Sequence, residues 1–167
     1  MEERSKELII HAEKTAEALV NELKKRKFSI ALAESCTAGI VSNLIANISG
    51  ASKIFWGSYV CYTQEAKVSM LGIDNDKLLI HGLVSRETAR VMAENALIKS
   101  GAGISMAVTG LAGPLGDGSE TEIGTVWIAV SMRGKTASER EFHFEGSRNE
   151  IRLKAAIAAL EEIMRLL

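Results

Sequence analysis

The chain has 167 residues, 47% of them hydrophobic, with 20 basic and 21 acidic side chains and a formal net charge of -1. A chain of this length is most simply one domain, residues 1–167, able to bury about 70% of the surface its unfolded form exposes. The near-neutral balance gives no electrostatic case for nucleic acid, and no segment offers the ~18 uninterrupted apolar residues of a membrane span. The charged, amphipathic start MEERSKELIIHAEK lacks the apolar stretch of a secretory signal, so the expected location is the cytoplasm. Cys36 and Cys61 form no CxxC pair and are expected to be free thiols; His11, His81 and His143 keep no ligand spacing, and no metal is expected.

Leu8, Ala12, Ala16, Leu19 and Leu23 recur at intervals of three and four, which predicts an N-terminal helix closed by the basic run KKRK, cations that suit a helix C-terminus. Phe28, Ile30, Ala31 and Leu32 read as a short buried strand, and Ile40, Val41, Leu44, Ile45 and Ile48 repeat at helical spacing. Ser35, in ALAESCTAGI, therefore falls at a strand-to-helix turn. There a serine oxygen can cap the helix, face a bound anion or act as a nucleophile, and on local pattern alone a cap at Ser35 or Thr37 is the expected reading.

SGAS marks a turn, and IFWGSYVCY has the branched and aromatic residues of a strand whose alternation puts Trp56, Val60 and Tyr62 on one face. QEAKVSML predicts about two helical turns stopped by Gly72. Asp74 then caps a short helix ending near Gly82, and Ser85 begins a longer one with Ala89, Met92, Ala93, Ala96 and Leu97 inward and Gly101 as its stop. The strand ISMAVT runs into GLAGPLGDGSETEIG, residues 110–124, which holds five glycines and the only proline. Such a loop is either a plain connection or a place where backbone N–H groups approach an anion. It has neither the GK[ST] of a P-loop nor a GxGxxG fingerprint, which excludes ordinary ATPase and dinucleotide-binding readings. TVWIAVSM is a further strand, Arg133 and Gly134 turn a hairpin into EREFHF, and the last helix opens at Ser147 with Glu150 three positions on, the pattern of a capping box. The alternation implies an α/β fold: a single layered domain with a mixed sheet of about five strands covered by helices.

AESCTAG (33–39), YTQEAK (62–67), TGLAGP (109–114), GTVWIA (124–129) and EGSR (145–148), taken in this order, resemble the CinA C-terminal domain family over about residues 5–165. Stand-alone members of that family include PncC-type nicotinamide mononucleotide amidases, and the chain is expected to lack the additional N-terminal domain of full-length CinA proteins. The resemblance implies hydrolysis of nicotinamide mononucleotide to nicotinate mononucleotide and ammonia in pyridine-nucleotide recycling. It places the family's catalytic serine, tyrosine and lysine on Ser35, Tyr62 and Lys67, and an arginine suited to the substrate phosphate on Arg148; Thr37, Gly110, Ala112 and Gly113 are expected to bind substrate. Two departures stand out: Gln64 where the family usually has Asn, and PLGDGSETE where many relatives have a tighter glycine-rich run.

A serine hydroxyl attacks an amide poorly without a base. Lys67 can serve if burial disfavours its charged form. Tyr62 is expected to relay a proton or orient the serine, and the helix N-terminus after Ser35, with N–H groups of residues 110–113, to hold the oxyanion. Cys36 is expected to be structural, although a cysteine-based amidase is the variant reading. Glu34 and Glu65 are expected to orient partners or stay solvated. The alternative is a catalytically inactive nucleotide-sensing or protein-interaction module of the same family. No cofactor is expected; the expected partner is a small-molecule nucleotide, not nucleic acid or membrane, and homo-oligomer formation is left open.

Overall fold

The apolar run IALAE forms β1 (Ile30–Glu34), buried along its whole length. Four further strands join it: β2 (Phe55–Val60), β3 (Ile104–Gly110), β4 (Thr125–Met132) and β5 (Ser138–His143), in the order β2-β1-β3-β4-β5. β1 runs parallel to both β2 and β3, while β3–β4 and β4–β5 are antiparallel, so the sheet is mixed. This computed structural model describes residues 2–135 and 137–167, residues 2–5 by their backbone alone.

The period of two along the strands sorts the sheet into unlike faces. Ile30, Leu32, Met106, Val108, Ile128 and Val130 pack against α1 (Glu2–Arg26), α2 (Ile40–Ala46) and α6 (Arg148–Leu166). The alternate positions Ala33, Ala107 and Ala129 meet Ala89, Met92, Ala93 and Ala96 of α5 (Arg86–Ser100), beside α3 (Gln64–Leu71) and α4 (Asn75–His81). Small side chains on both partners let α5 lie close to the sheet. The hydroxyls on that face are satisfied: Ser105 Oγ donates to the Ala93 carbonyl at 2.6 Å and Thr109 Oγ1 to that of Leu83 at 2.7 Å. Among the described residues no helix is long and apolar enough to cross a membrane.

The helix starts expected at Asp74, Ser85 and Ser147 occur as side-chain caps, the last as a reciprocal capping box with Glu150. Two expectations change. The helix after β1 begins at Ile40 behind a left-handed Gly39 (φ 92°) with no side-chain cap, so neither Ser35 nor Thr37 caps it. In β2 the register jumps from Ile30↔Phe55 to Ala31↔Gly57, a bulge at Trp56 that breaks the simple alternation, and the strand ends before Tyr62.

Candidate active site

Because β1, β2 and β3 are parallel, their carboxyl ends open at one edge of the sheet, the edge where α/β proteins commonly bind ligands. Ser35 follows β1, Tyr62 and Lys67 follow β2, and Gly110 ends β3. β5 ends at the same edge, since His143 pairs with Thr125 at the start of β4, and this brings Arg148 there at the opening of α6. Together these segments enclose an open cleft of about 200 Å³ that Ser35, Tyr62, Lys67, Gly110, Ala112 and Arg148 all line. Leu83 and Val84 add an apolar wall, and Asp117 comes from the 110–124 loop.

Thr63 caps α3 by accepting the Ala66 N–H at 3.1 Å, and the helix turns Lys67 inward until 1% of it is exposed. Its Nζ lies 2.9 Å from Ser35 Oγ and donates to the Cys61 carbonyl at 3.1 Å. Among the described residues no carboxylate pairs with Lys67. Burial lowers its pKa from the usual lysine range, opposed by the neighbouring Cys61 and Cys36 sulfurs. The two groups that a serine-amine dyad requires are therefore adjacent, with the amine biased toward its neutral form. Cys36 belongs to the apolar core on the α1 and α6 side, and burial pushes its thiol up to about 12, which leaves it without thiolate character near neutral pH.

Glu34 is fully buried immediately before the serine. Its Oε2 accepts from Thr37 Oγ1 at 2.8 Å, the Gly39 N–H at 3.0 Å and the Val41 N–H at 3.1 Å. Its Oε1 accepts from the Ser42 N–H at 2.9 Å and from the Ser42 hydroxyl. The N-terminal N–H groups of α2 are thus spent on Glu34, which corrects the expectation that they face an oxyanion. Thr37 is likewise no wall of the cleft: it is fully buried and its hydroxyl serves Glu34. The Ala112 and Gly113 N–H groups, in contrast, meet no acceptor among the described residues.

The Tyr62 hydroxyl accepts from Arg148 Nη2 at 2.6 Å and makes no hydrogen bond to Ser35 or Lys67. Arg148 Nη1 donates to the Gly113 carbonyl at 2.5 Å, and no carboxylate among the described residues pairs with this guanidinium. Gly110 has a packing reason to be glycine, since a Cβ there would stand 2.7 Å from Val126 Cγ2 and 2.8 Å from the Thr125 carbonyl oxygen. Sequence reasoning missed Arg152, which donates through Nε to the Cys36 carbonyl and through Nη2 to that of Thr37, both at 3.0 Å. The available signal was spacing: Arg148 and Arg152 are four apart on α6 and share a face.

Comparison with known proteins gives a consistent result. The family described as the CinA C-terminal domain matches residues 12–167. A CinA-like protein of Kosmotoga olearia is 40% identical over 155 residues, which is 93% of this chain and 37% of that protein. A CinA-like protein of Thermotoga maritima is 39% identical over 95% of this chain and 38% of its own length. The chain therefore spans little more than a third of these relatives. Among solved structures, the competence/damage inducible protein CihA from Agrobacterium tumefaciens superposes with a TM-score of 0.90 at 35% identity, covering 93% of this chain and 95% of that one. A CinA superfamily protein from Escherichia coli also reaches 0.90, at 29% identity over 93% and 90% of the two chains.

Proposed function

The chain belongs to the CinA C-terminal domain family, and from that premise we propose that it is an amidohydrolase converting nicotinamide mononucleotide to nicotinate mononucleotide and ammonia through a serine acyl-enzyme. The observation that carries this reading is the 2.9 Å contact between Ser35 Oγ and the buried Lys67 amine. With that amine neutral, Ser35 Oγ attacks the carboxamide carbon as its proton passes to Nζ. Of the Ala112 and Gly113 N–H groups, that of Ala112 belongs to a residue lining the cleft and is a donor available to the oxyanion. Collapse of the tetrahedral intermediate breaks the C–N bond, and Lys67 returns its proton to the leaving nitrogen, releasing ammonia. Water then attacks the ester, gives a proton to Lys67, and the acid product departs as Ser35 Oγ is reprotonated.

Arg148, which pairs with no carboxylate among the described residues, is the group suited to the 5'-phosphate, with the Tyr62 hydroxyl at its side. Tyr62 acts in this scheme through Arg148 rather than as a relay to the serine. Leu83 and Val84 offer apolar surface to the pyridine ring. The direct test is ammonia release from nicotinamide mononucleotide by metal-free protein, with the Ser35→Ala variant as control. Turnover that Ser35→Ala abolishes is the expected outcome. Binding of the mononucleotide without ammonia release would replace the amidase reading by that of a nucleotide-sensing module, and reversible loss of turnover with a chelator would sink the metal-free mechanism.

A further inference from the structure

We infer that Glu34 and Arg152 are positioning residues that clamp the Ser35 turn from opposite ends of its polar backbone, one taking its N–H groups and the other its carbonyls. The inference rests on the serine-lysine reading above. Residues 35–39 carry no regular hydrogen-bonded structure of their own beyond single turn contacts, and they include two left-handed positions, Ala38 (φ 48°) and Gly39 (φ 92°). A non-glycine residue at positive φ persists only where its surroundings over-determine it. Here the surroundings are specific. The Glu34 carboxylate gathers Thr37 Oγ1 and the N–H groups of Gly39, Val41 and Ser42, while Arg152 takes the Cys36 and Thr37 carbonyls in a two-pronged contact at 3.0 Å each.

The Glu34 main chain extends the clamp to the base. Its carbonyl accepts the Cys61 N–H at 2.9 Å, and the Cys61 carbonyl in turn accepts from Lys67 Nζ. Nucleophile and base are thus tied to one backbone point. Arg152 itself does not line the cleft, so its effect on chemistry runs through the turn. Because α6 also presents Arg148 one turn earlier, a single helix face carries one arginine for the substrate anion and one for the nucleophile's backbone.

The experiment compares wild type with Arg152→Gln, Arg152→Lys and Glu34→Gln by steady-state kinetics, thermal melting, and the rate at which a fluorophosphonate probe phosphonylates Ser35 with loss of fluoride. In Arg152→Gln both kcat and the phosphonylation rate should fall about ten- to a hundredfold, the scale expected for a misplaced reacting group, with KM within about threefold. Arg152→Lys keeps a donor but not the planar fork and should recover part of both rates. Glu34→Gln puts an amide NH₂ among N–H donors and should lose at least as much. Variants that melt earlier yet keep wild-type kcat and phosphonylation rate would reduce the clamp to a stability device and overturn the inference. So would a rise in KM at constant kcat, which would assign Arg152 to substrate binding. A wild type that neither releases ammonia nor reacts with the probe overturns the serine-amidase reading itself, and the clamp with it.

Discussion

Glu34 and Lys67 are both withdrawn from water at this site, with exposures of 0% and 1%, yet their surroundings differ in kind. On the Glu34 side, backbone and hydroxyl donors converge on both carboxylate oxygens, from Thr37, Gly39, Val41 and Ser42. On the Lys67 side, the amine has two uncharged oxygen neighbours, Ser35 Oγ and the Cys61 carbonyl. Burying a charge is costly unless hydrogen bonds or an opposite charge compensate it. The first group is compensated and holds structure. The second is left short, and its burial lowers its pKa, which is the condition a lysine base needs.

The largest expected effect breaks the Lys67 side. Lys67→Arg keeps the cation but cannot be deprotonated, so kcat/KM should fall by about 10³-fold or more. In the wild type, log kcat/KM should climb with unit slope as pH rises toward the lowered Lys67 pKa and level off above it, because only the deprotonated amine accepts a proton. Substantial activity in the arginine variant, or a profile flat through that range, would make Lys67 a mere cation. Breaking the other side should cost stability as well as rate. Glu34→Ala strands several buried donors and should destabilise the fold by about 3–5 kcal/mol, readable as a fall in Tm of about 10 °C.

Arg148→Ala comes next, with kcat/KM for the mononucleotide expected to fall about tenfold to a few hundredfold, the worth of a charge-assisted contact. Nicotinamide riboside, lacking the phosphate, should be a poor substrate whose turnover the mutation changes much less. Equal losses on both substrates would move Arg148 from phosphate binding to the reaction centre or the fold. A smaller effect of opposite sign sharpens the comparison. Lys67→Met should raise Tm by a few degrees while abolishing turnover, since stability and function conflict at such sites. The folded-state pKa of Lys67 lies below its unfolded value, so wild-type stability rises with pH between the two. The advantage of the methionine variant should therefore be full below the folded pKa and fade as pH approaches the usual lysine range. A lysine protein that melts higher than the methionine variant at every pH would contradict this. The smallest effect belongs to Cys36→Ala, which should keep activity within about threefold because the buried thiol, pushed up to about 12, supplies no nucleophile.

What could be read in advance was local. Asp74, Ser85 and Ser147 cap helices through contacts two or three residues away, and such signals sit inside a short window of sequence. The site residues were legible as members of separate motifs, and Ser35, Lys67 and Arg148 do come to one cleft. Their mutual relations were not legible, because they depend on strand order. Tyr62 meets Arg148 instead of the serine, Thr37 turns away to Glu34, and Arg152 reaches back to the Cys36 and Thr37 carbonyls from the last helix. Glu34 looked like an available carboxylate, since nothing in AESCTAG reveals that the helix start behind it would supply its donors.

The parallel pairing of β1 with β3 also has a kinetic side. Ile30 lies against Ile104, so forming that ladder closes a loop of about 70 residues, a distant contact whose entropy must be met before packing rewards it. Ser35 and the Gly110 end of the cleft come into register only when that ladder exists, whereas the backbone hydrogen bonds of α1 and α5 close between residues four apart. On dilution from urea, helical signal should return first and the amidase turnover proposed above with the slowest phase, which would make catalysis a reporter of the completed sheet.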